Sequence, residues 1–171
     1  MQPDLALVSP LDWALHYIQH GLYVFPLHTP RGTGCSCGKA PCKDAGKHPR
    51  TEHGFHDATI DPGLVREWFH CCSDANVGIA TGQKSGIIVL DVDFRSGGDV
   101  SIAELIDRFG WFDTPVVKTG DGRHLYFNHP GGQVPCTRSL SGYPGIDLRG
   151  DGGYVVAPPS LHPSGRRYVW D

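Results

Sequence analysis

Asp91 and Asp93 close an aliphatic run, Gly86-Ile87-Ile88-Val89-Leu90-Asp91-Val92-Asp93. Four consecutive aliphatics predict a strand interior, and side chains two apart share a face, so both carboxylates emerge together at the strand's end. Like charges held roughly 6–7 Å apart in a partly dry setting raise each other's pKa unless a cation sits between them. The pair therefore points to a divalent metal site. Taken alone, an Asp-x-Asp also fits two unrelated surface carboxylates, or a helix cap ahead of Val100. On the metal reading, removing one carboxylate relieves repulsion, so the fold should survive and can even gain stability.

A second cluster has softer ligands. Cys35-Ser36-Cys37, Cys42 and His48 fall within 14 residues and offer three thiols and an imidazole, the donor set of a tetrahedral Cys₃His zinc site. One residue between the first two cysteines is tighter than in most zinc fingers, and His53 or His56 are alternatives to His48 as fourth ligand. Free buried thiols are the other reading, but a loop so rich in Lys and Gly has little core to bury them. Cys71-Cys72 are adjacent, a poor pair for bridging, so metal binding in a reducing compartment suits the six cysteines better than a disulfide scaffold does.

Three later segments place polar groups beside glycines and strand-like residues: Thr119-Gly120-Asp121-Gly122-Arg123-His124, Gly145-Ile146-Asp147-Leu148-Arg149, and Gly150-Asp151-Gly152-Gly153 leading into Tyr154-Val155-Val156-Ala157-Pro158-Pro159-Ser160. Glycines let backbone approach a ligand closely and are a usual way to admit a triphosphate. His124 and Asp147 are placed to project from strands into one cleft. Ser160 and His162 also fit a Pro-rich turn.

These residues need positioning elements. Pro10 to His20 carries apolar residues at helical spacing and stops at Gly21; Asp61-Pro62 opens a second helix with Leu64, Val65, Trp68 and Phe69 on one side, and Ser101 to Phe109 predicts a third. Strand-like runs are Leu22–Leu27, with Pro26 favouring an edge, then Asn76–Ala80 and Gly86–Asp93, read as a hairpin, then Pro115–Thr119, Arg123–Asn128, Gly145–Leu148, Tyr154–Ala157 and Arg167–Trp170. The order predicts an α+β domain weighted to sheet in its second half. Between Thr29 and His56 the chain lacks periodicity, and a loop that long needs its own staple.

With 171 residues, 39% hydrophobic and 19% charged, the chain suits one domain with an ordered core. No basic leader and no run of about 20 apolar residues occurs, which predicts a cytoplasmic protein. The chain stops directly after a strand-like run, which predicts a longer parent protein. The net charge is −3, yet residues 31–50 hold Arg31, Lys39, Lys43, Lys47 and Arg50 against Asp44 alone, a local +4 that leaves −7 elsewhere. Such a patch can meet phosphates, and Lys43, Lys47 and Arg50 are the candidate nucleic-acid contacts. A solvated lysine-rich loop has the same charge.

Together these segments resemble the primase-polymerase (Prim-Pol) domains of the archaeo-eukaryotic primase superfamily, over about Trp13 to Trp170. The family's acidic pair falls on Asp91 and Asp93, its small-residue turn ending in histidine on Gly122-Arg123-His124, and its third carboxylate on Asp147. A similar Cys, Cys, Cys, His loop with Gly46-Lys47-His48-Pro49 occurs in members. One departure is Gly122, where many members carry serine. The resemblance implies a mixed, mainly antiparallel RRM-like sheet with flanking helices, as one catalytic domain over 1–171 with a zinc-binding insertion at about 29–56. It implies Mg²⁺ or Mn²⁺ on Asp91, Asp93 and Asp147, with His124, Arg123, Arg149 and Ser160 toward the nucleotide. Single-stranded DNA template, primer and NTP or dNTP are the implied partners, with a fused or separate helicase, in plasmid, phage or mobile-element replication. A two-metal nuclease and a non-catalytic zinc-stapled nucleic-acid-binding module are the rival readings.

Overall fold

The structure is a computed structural model that describes residues 9–171. Its elements run α1 (Pro10–Gln19), β1 (Val24–Leu27), β2 (Pro30–Arg31), β3 (Gly34–Cys35), α2 (Pro62–Cys71), β4 (Asn76–Ala80), β5 (Ile87–Asp93), α3 (Gly98–Phe109), β6 (Val116–Lys118), β7 (Gly122–Asn128), β8 (Ile146–Arg149), β9 (Tyr154–Ala157) and β10 (Val169–Trp170), with short 3₁₀ turns at Gly54–Asp57 and Phe94–Ser96. The first α-helix begins where Ser9 and Asp12 exchange hydrogen bonds: the Asp12 amide donates to Ser9 Oγ at 3.2 Å and the Ser9 amide to the Asp12 carboxylate at 3.0 Å, with Pro10 pre-set in the first turn. Asp61 caps α2 in the same way, its Oδ1 accepting from Gly63 N at 2.7 Å.

Two antiparallel sheets carry the architecture, a three-stranded one ordered β1-β4-β9 and a five-stranded one ordered β10-β6-β7-β5-β8. The expected β4–β5 hairpin does not form. β4 is buried along its whole length between β1 and β9, while β5 is an inner strand of the other sheet, and only the isolated bridge Gly82–Ile87 joins the connection. Pro26 sits in β1, an edge strand, where its missing N–H breaks no ladder on the open side.

The larger sheet has two different faces. One packs Val92, Leu125 and Ile146 against Leu105 of α3. The other carries Val89, Val117 and Tyr126 into the main core, where they meet Tyr17 of α1, Val65 and Phe69 of α2, and the three-stranded sheet. Each fully buried large aliphatic or aromatic side chain contributes about 1.5–3 kcal/mol relative to exposure. That core stiffens one end of the β5 face whose other end carries the acidic pair.

Candidate active site

Strand register builds the site. Asp91 stands opposite His124 of β7 on one side and Asp147 of β8 on the other, so three neighbouring strands present His124, Asp91 and Asp147 in a row. Asp93 shares their face two residues on, and Arg149 shares it two residues beyond Asp147. All five line a cleft of about 1010 Å³ together with residues of β9 and of the Cys-rich loop.

A cation already lies between two of the carboxylates. Arg149 Nη2 donates to Asp91 Oδ2 and to Asp147 Oδ2, each at 2.9 Å, and His124 Nε2 lies 3.4 Å from Asp91 Oδ1. Burial alone would raise the Asp91 pKa, but His124 and Arg149 outweigh it and hold the carboxyl well below the usual range. For Arg149, burial opposes the charge, and Asp91 and Asp147 more than restore it, so its pKa lies above the ordinary value. Asp147 also accepts from Ser139 N at 2.8 Å. The Arg149 guanidinium is thus a stand-in for a cation that these oxygen donors fit, as hard divalent ions require. Burial and the Asp91 charge push the Tyr168 and Tyr126 phenols up, so both stay neutral beside the site.

Asp93 answers to both readings of its position. It lines the cleft, and it also caps the 3₁₀ turn at Phe94–Ser96, accepting from Arg95 N at 3.0 Å and Ser96 Oγ at 3.2 Å. Arg95 reaches on to Asp121 at 3.4 Å. His124 is 5% exposed and packed between Asp91 and the rings of Tyr126 and Tyr168, and its buried Nδ1 has no hydrogen-bond partner among the described residues. Gly122 leaves no room for a serine: a Cβ there would stand 1.8 Å from the Val92 carbonyl oxygen, because β7 and β5 approach closely. Gly120 lets the His162 loop close on the β6–β7 turn, since a Cβ would lie 2.0 Å from His162 Nδ1.

Residues 14–171 match the family model of the bifunctional DNA primase/polymerase, N-terminal domain. The chain belongs to this Prim-Pol family. Among curated proteins no sequence match was found. The α+β architecture with antiparallel sheets agrees with the Prim-Pol assignment, and membership of the family points at family level to DNA primase/polymerase activity on DNA and nucleotide substrates, in a family whose enzymes generally use divalent metals. Among the described residues no helix is long and apolar enough to cross a membrane.

The Prim-Pol domain also holds a Cys₃His cluster that could bind zinc: the ligand atoms of Cys35, Cys37, Cys42 and His48 all lie within 4.8 Å of one another. His48 Nε2 is 3.4 Å from Cys35 Sγ and 3.5 Å from Cys42 Sγ, near the spacing that a tetrahedral ion imposes. Burial opposes the Cys35 thiolate, but the Cys37 and Gly46 backbone amides and His48 more than offset it, lowering the thiol to about 6. His53 instead pairs with Asp57 at 3.0 Å and His56 stacks on Phe55, which leaves His48 as the fourth ligand. Sequence reading missed His28, whose ring packs against that of His48 at a tilt of 31°, with centroids 4.4 Å apart.

Three other candidates lie elsewhere. Arg123 pairs with Val92, so it points to the opposite face of the sheet from His124, into a smaller cavity of about 230 Å³ with Trp111 and Phe112. Ser160 is 2% exposed and accepts from Val77 N at 2.8 Å, tying the chain after β9 back to β4, while its neighbour His162 reaches the cleft. Arg50 is spent inside the loop base, donating to Leu27 O, Thr29 Oγ1, Ser36 Oγ and Asp74 Oδ1. Arg95, Asp121 and Tyr168 were not singled out. Arg95, two residues past Asp93, was the one with a local signal.

Proposed function

We propose that this domain is a template-directed DNA primase and polymerase, a nucleotidyltransferase that moves (d)NMP from a (d)NTP onto a 3′-hydroxyl. One observation carries the reading: the half-buried Asp91 and Asp147 face each other across adjacent strands, already gripping the Arg149 cation, with Asp93 on the same face of an open cleft. Asp91, Asp93 and Asp147 would hold two Mg²⁺ or Mn²⁺ ions, which supply Lewis acidity for activating the hydroxyl and neutralising the departing pyrophosphate. His124 fixes Asp91 from behind, and Arg149 offers charge to the triphosphate. Direct displacement at the α-phosphorus requires no protein nucleophile, and no cysteine is assigned one.

The substrates are a single-stranded DNA template with its primer and NTPs or dNTPs, and the setting is cytoplasmic replication of a plasmid, phage or mobile element, with a fused or separate helicase. Residues 1–171 act as one catalytic domain, with zinc held by the insertion at about 29–56. The test is primer extension on single-stranded template with labelled nucleotides and Mn²⁺ or Mg²⁺, with pyrophosphate measured in the same tube. Lengthened primer and stoichiometric pyrophosphate support the reading. Shortened DNA without pyrophosphate makes the protein a nuclease, and DNA binding with neither product makes it a non-catalytic module.

A further inference from the structure

The basic residues of the Cys-rich loop do not act together. Arg50 is consumed in the loop base, and Lys43 is exposed away from the residues that line the cleft. Lys47 lines the catalytic cleft itself, in company with Asp91, His124, Asp147, Arg149 and His162.

Its backbone is held on every side. Gly46 O accepts from Asn76 Nδ2 at 2.9 Å, Lys47 N donates to Asp44 O at 2.9 Å, and Lys47 O accepts from the Tyr154 hydroxyl at 2.9 Å. His48 O accepts from His28 N at 2.8 Å while the His48 ring sits among the thiols. Its ammonium, in contrast, has no hydrogen-bond or ion-pair partner among the described residues. The other cations of the cleft are differently placed: Arg95 is tied to Asp93 and Asp121, Arg149 to Asp91 and Asp147, and Arg138 is exposed. An ammonium at the cleft wall with no counter-charge of its own is open to an anion that enters the cleft. The cleft residue His162 has its pKa lowered first by its own burial and next by the charge of Lys47.

We propose that Lys47 binds the triphosphate of the incoming nucleotide, which makes the metal-stapled loop a wall of the nucleotide pocket rather than a grip on the template. The inference rests on the nucleotidyltransferase reading above. Phosphate is the chemistry recognised, and it has two sources, the nucleotide's triphosphate and the DNA backbone. A fixed backbone with a free ammonium, lining the same cleft as Asp91, favours the first.

The experiment uses the zinc-loaded full chain and the variants Lys47→Met, Lys47→Arg and Lys43→Ala, each checked for zinc content. One arm measures the dATP KM in primer extension and the inhibition constant of inorganic tripolyphosphate, which has neither base nor sugar. The other measures single-stranded DNA affinity without nucleotide at several salt concentrations. Lys47→Met should raise both the KM and the tripolyphosphate constant by roughly ten- to hundred-fold, the span of one charge-assisted contact. Lys47→Arg should recover most of that loss, and DNA affinity should move by less than about twofold in either variant. Lys43→Ala should instead flatten the salt dependence by about one unit of slope.

An unchanged tripolyphosphate constant in Lys47→Met overturns the proposal, and so does a flattened salt slope there with an unmoved KM, which would make Lys47 a template contact. A Lys47→Met protein that has lost zinc while Lys47→Arg binds normally supports it only if restoring zinc fails to restore the tripolyphosphate constant; full recovery on zinc addition overturns it. If the unaltered chain does not extend a primer, the nucleotidyltransferase reading itself falls.

Discussion

The cleft floor and the loop at its mouth both present charge to the same space, and they hold it by different means. On the floor, strand register alone sets Asp91 between His124 and Asp147, and the sheet beneath is buried on both faces. The loop has as strands only the two-residue β2 and β3, with one bridge from Pro49 to Leu27, so its order depends on side chains: three thiols, two imidazoles in contact, and Arg50 bound to Asp74. A sheet can preorganise like charges because its core supplies the energy. A loop without a core needs a point that gathers many segments at once, which is what a structural metal provides.

The comparison breaks most sharply at Asp91. Asp91→Ala should lower extension by about three orders of magnitude or more, since the carboxylate is a proposed metal ligand and also orients its neighbours. Stability should fall as well, by about 1–3 kcal/mol, because Arg149 and His124 lose a buried partner. This differs from the expectation that removing one of the like charges Asp91 and Asp93 stabilises the metal-free protein: Arg149 and His124 already offset the charge of Asp91, and Arg95 pairs with Asp93. Steady-state extension and urea denaturation test the two parts, and an Asp91→Ala protein more stable than its parent would show that repulsion governs the site.

At the mouth, loss should be local. Cys42→Ser, or zinc chelation, should unprotect amides from Thr29 to His56 in hydrogen exchange while β5, β7 and β8 keep their protection, since structural zinc contributes on the order of 10 kcal/mol in small metal-stapled units. Equal loss of protection in both regions would mean that loop and sheet form one cooperative unit.

Arginines sharpen the contrast between the two faces of the larger sheet. Arg149→Ala should raise the nucleotide KM by about tenfold, whereas Arg123→Ala should leave it within about twofold, because strand alternation sends Arg123 to the α3 side. A KM shift as large in Arg123→Ala would place that residue in the nucleotide path.

What could be read from the chain follows the range of the interactions. The floor was legible because alternation along one strand puts Asp91 and Asp93 on one face, and the caps of α1 and α2 are written in adjacent residues, Ser9 to Asp12 and Asp61 to Gly63. The Cys₃His set was legible because its ligands are close in sequence. Arg123 was misplaced by reading it as part of a turn with His124, when inside a strand adjacent residues must diverge. Arg50 looked like a surface cation because its carboxylate partner, Asp74, lies 24 residues away. The β4–β5 hairpin failed for a related reason: a short glycine-containing connection permits pairing, but the partners of β4 are β1 and β9, the latter far along the chain.

The smallest effect concerns Asp74, the carboxylate at the base of the loop. Its pKa is lowered, first by the Arg31 hydrogen bond at 2.6 Å and then, against some burial, by Arg50 at 3.1 Å. A depressed carboxylate contributes stability that is fully present above its unfolded value of about 4 and is lost as pH falls through the lower folded value. Asp74→Asn should therefore weaken the loop at neutral pH, by no more than about 1 kcal/mol given how exposed the pair with Arg31 is. The gap between variant and parent should close as pH drops below about 4. Zinc held by the cluster would leave both proteins as the thiols take up protons, so the test is the difference in loop hydrogen exchange between the two, not either alone. A gap that stays constant into acid would show that Asp74 acts through uncharged contacts of its side chain and not by its charge.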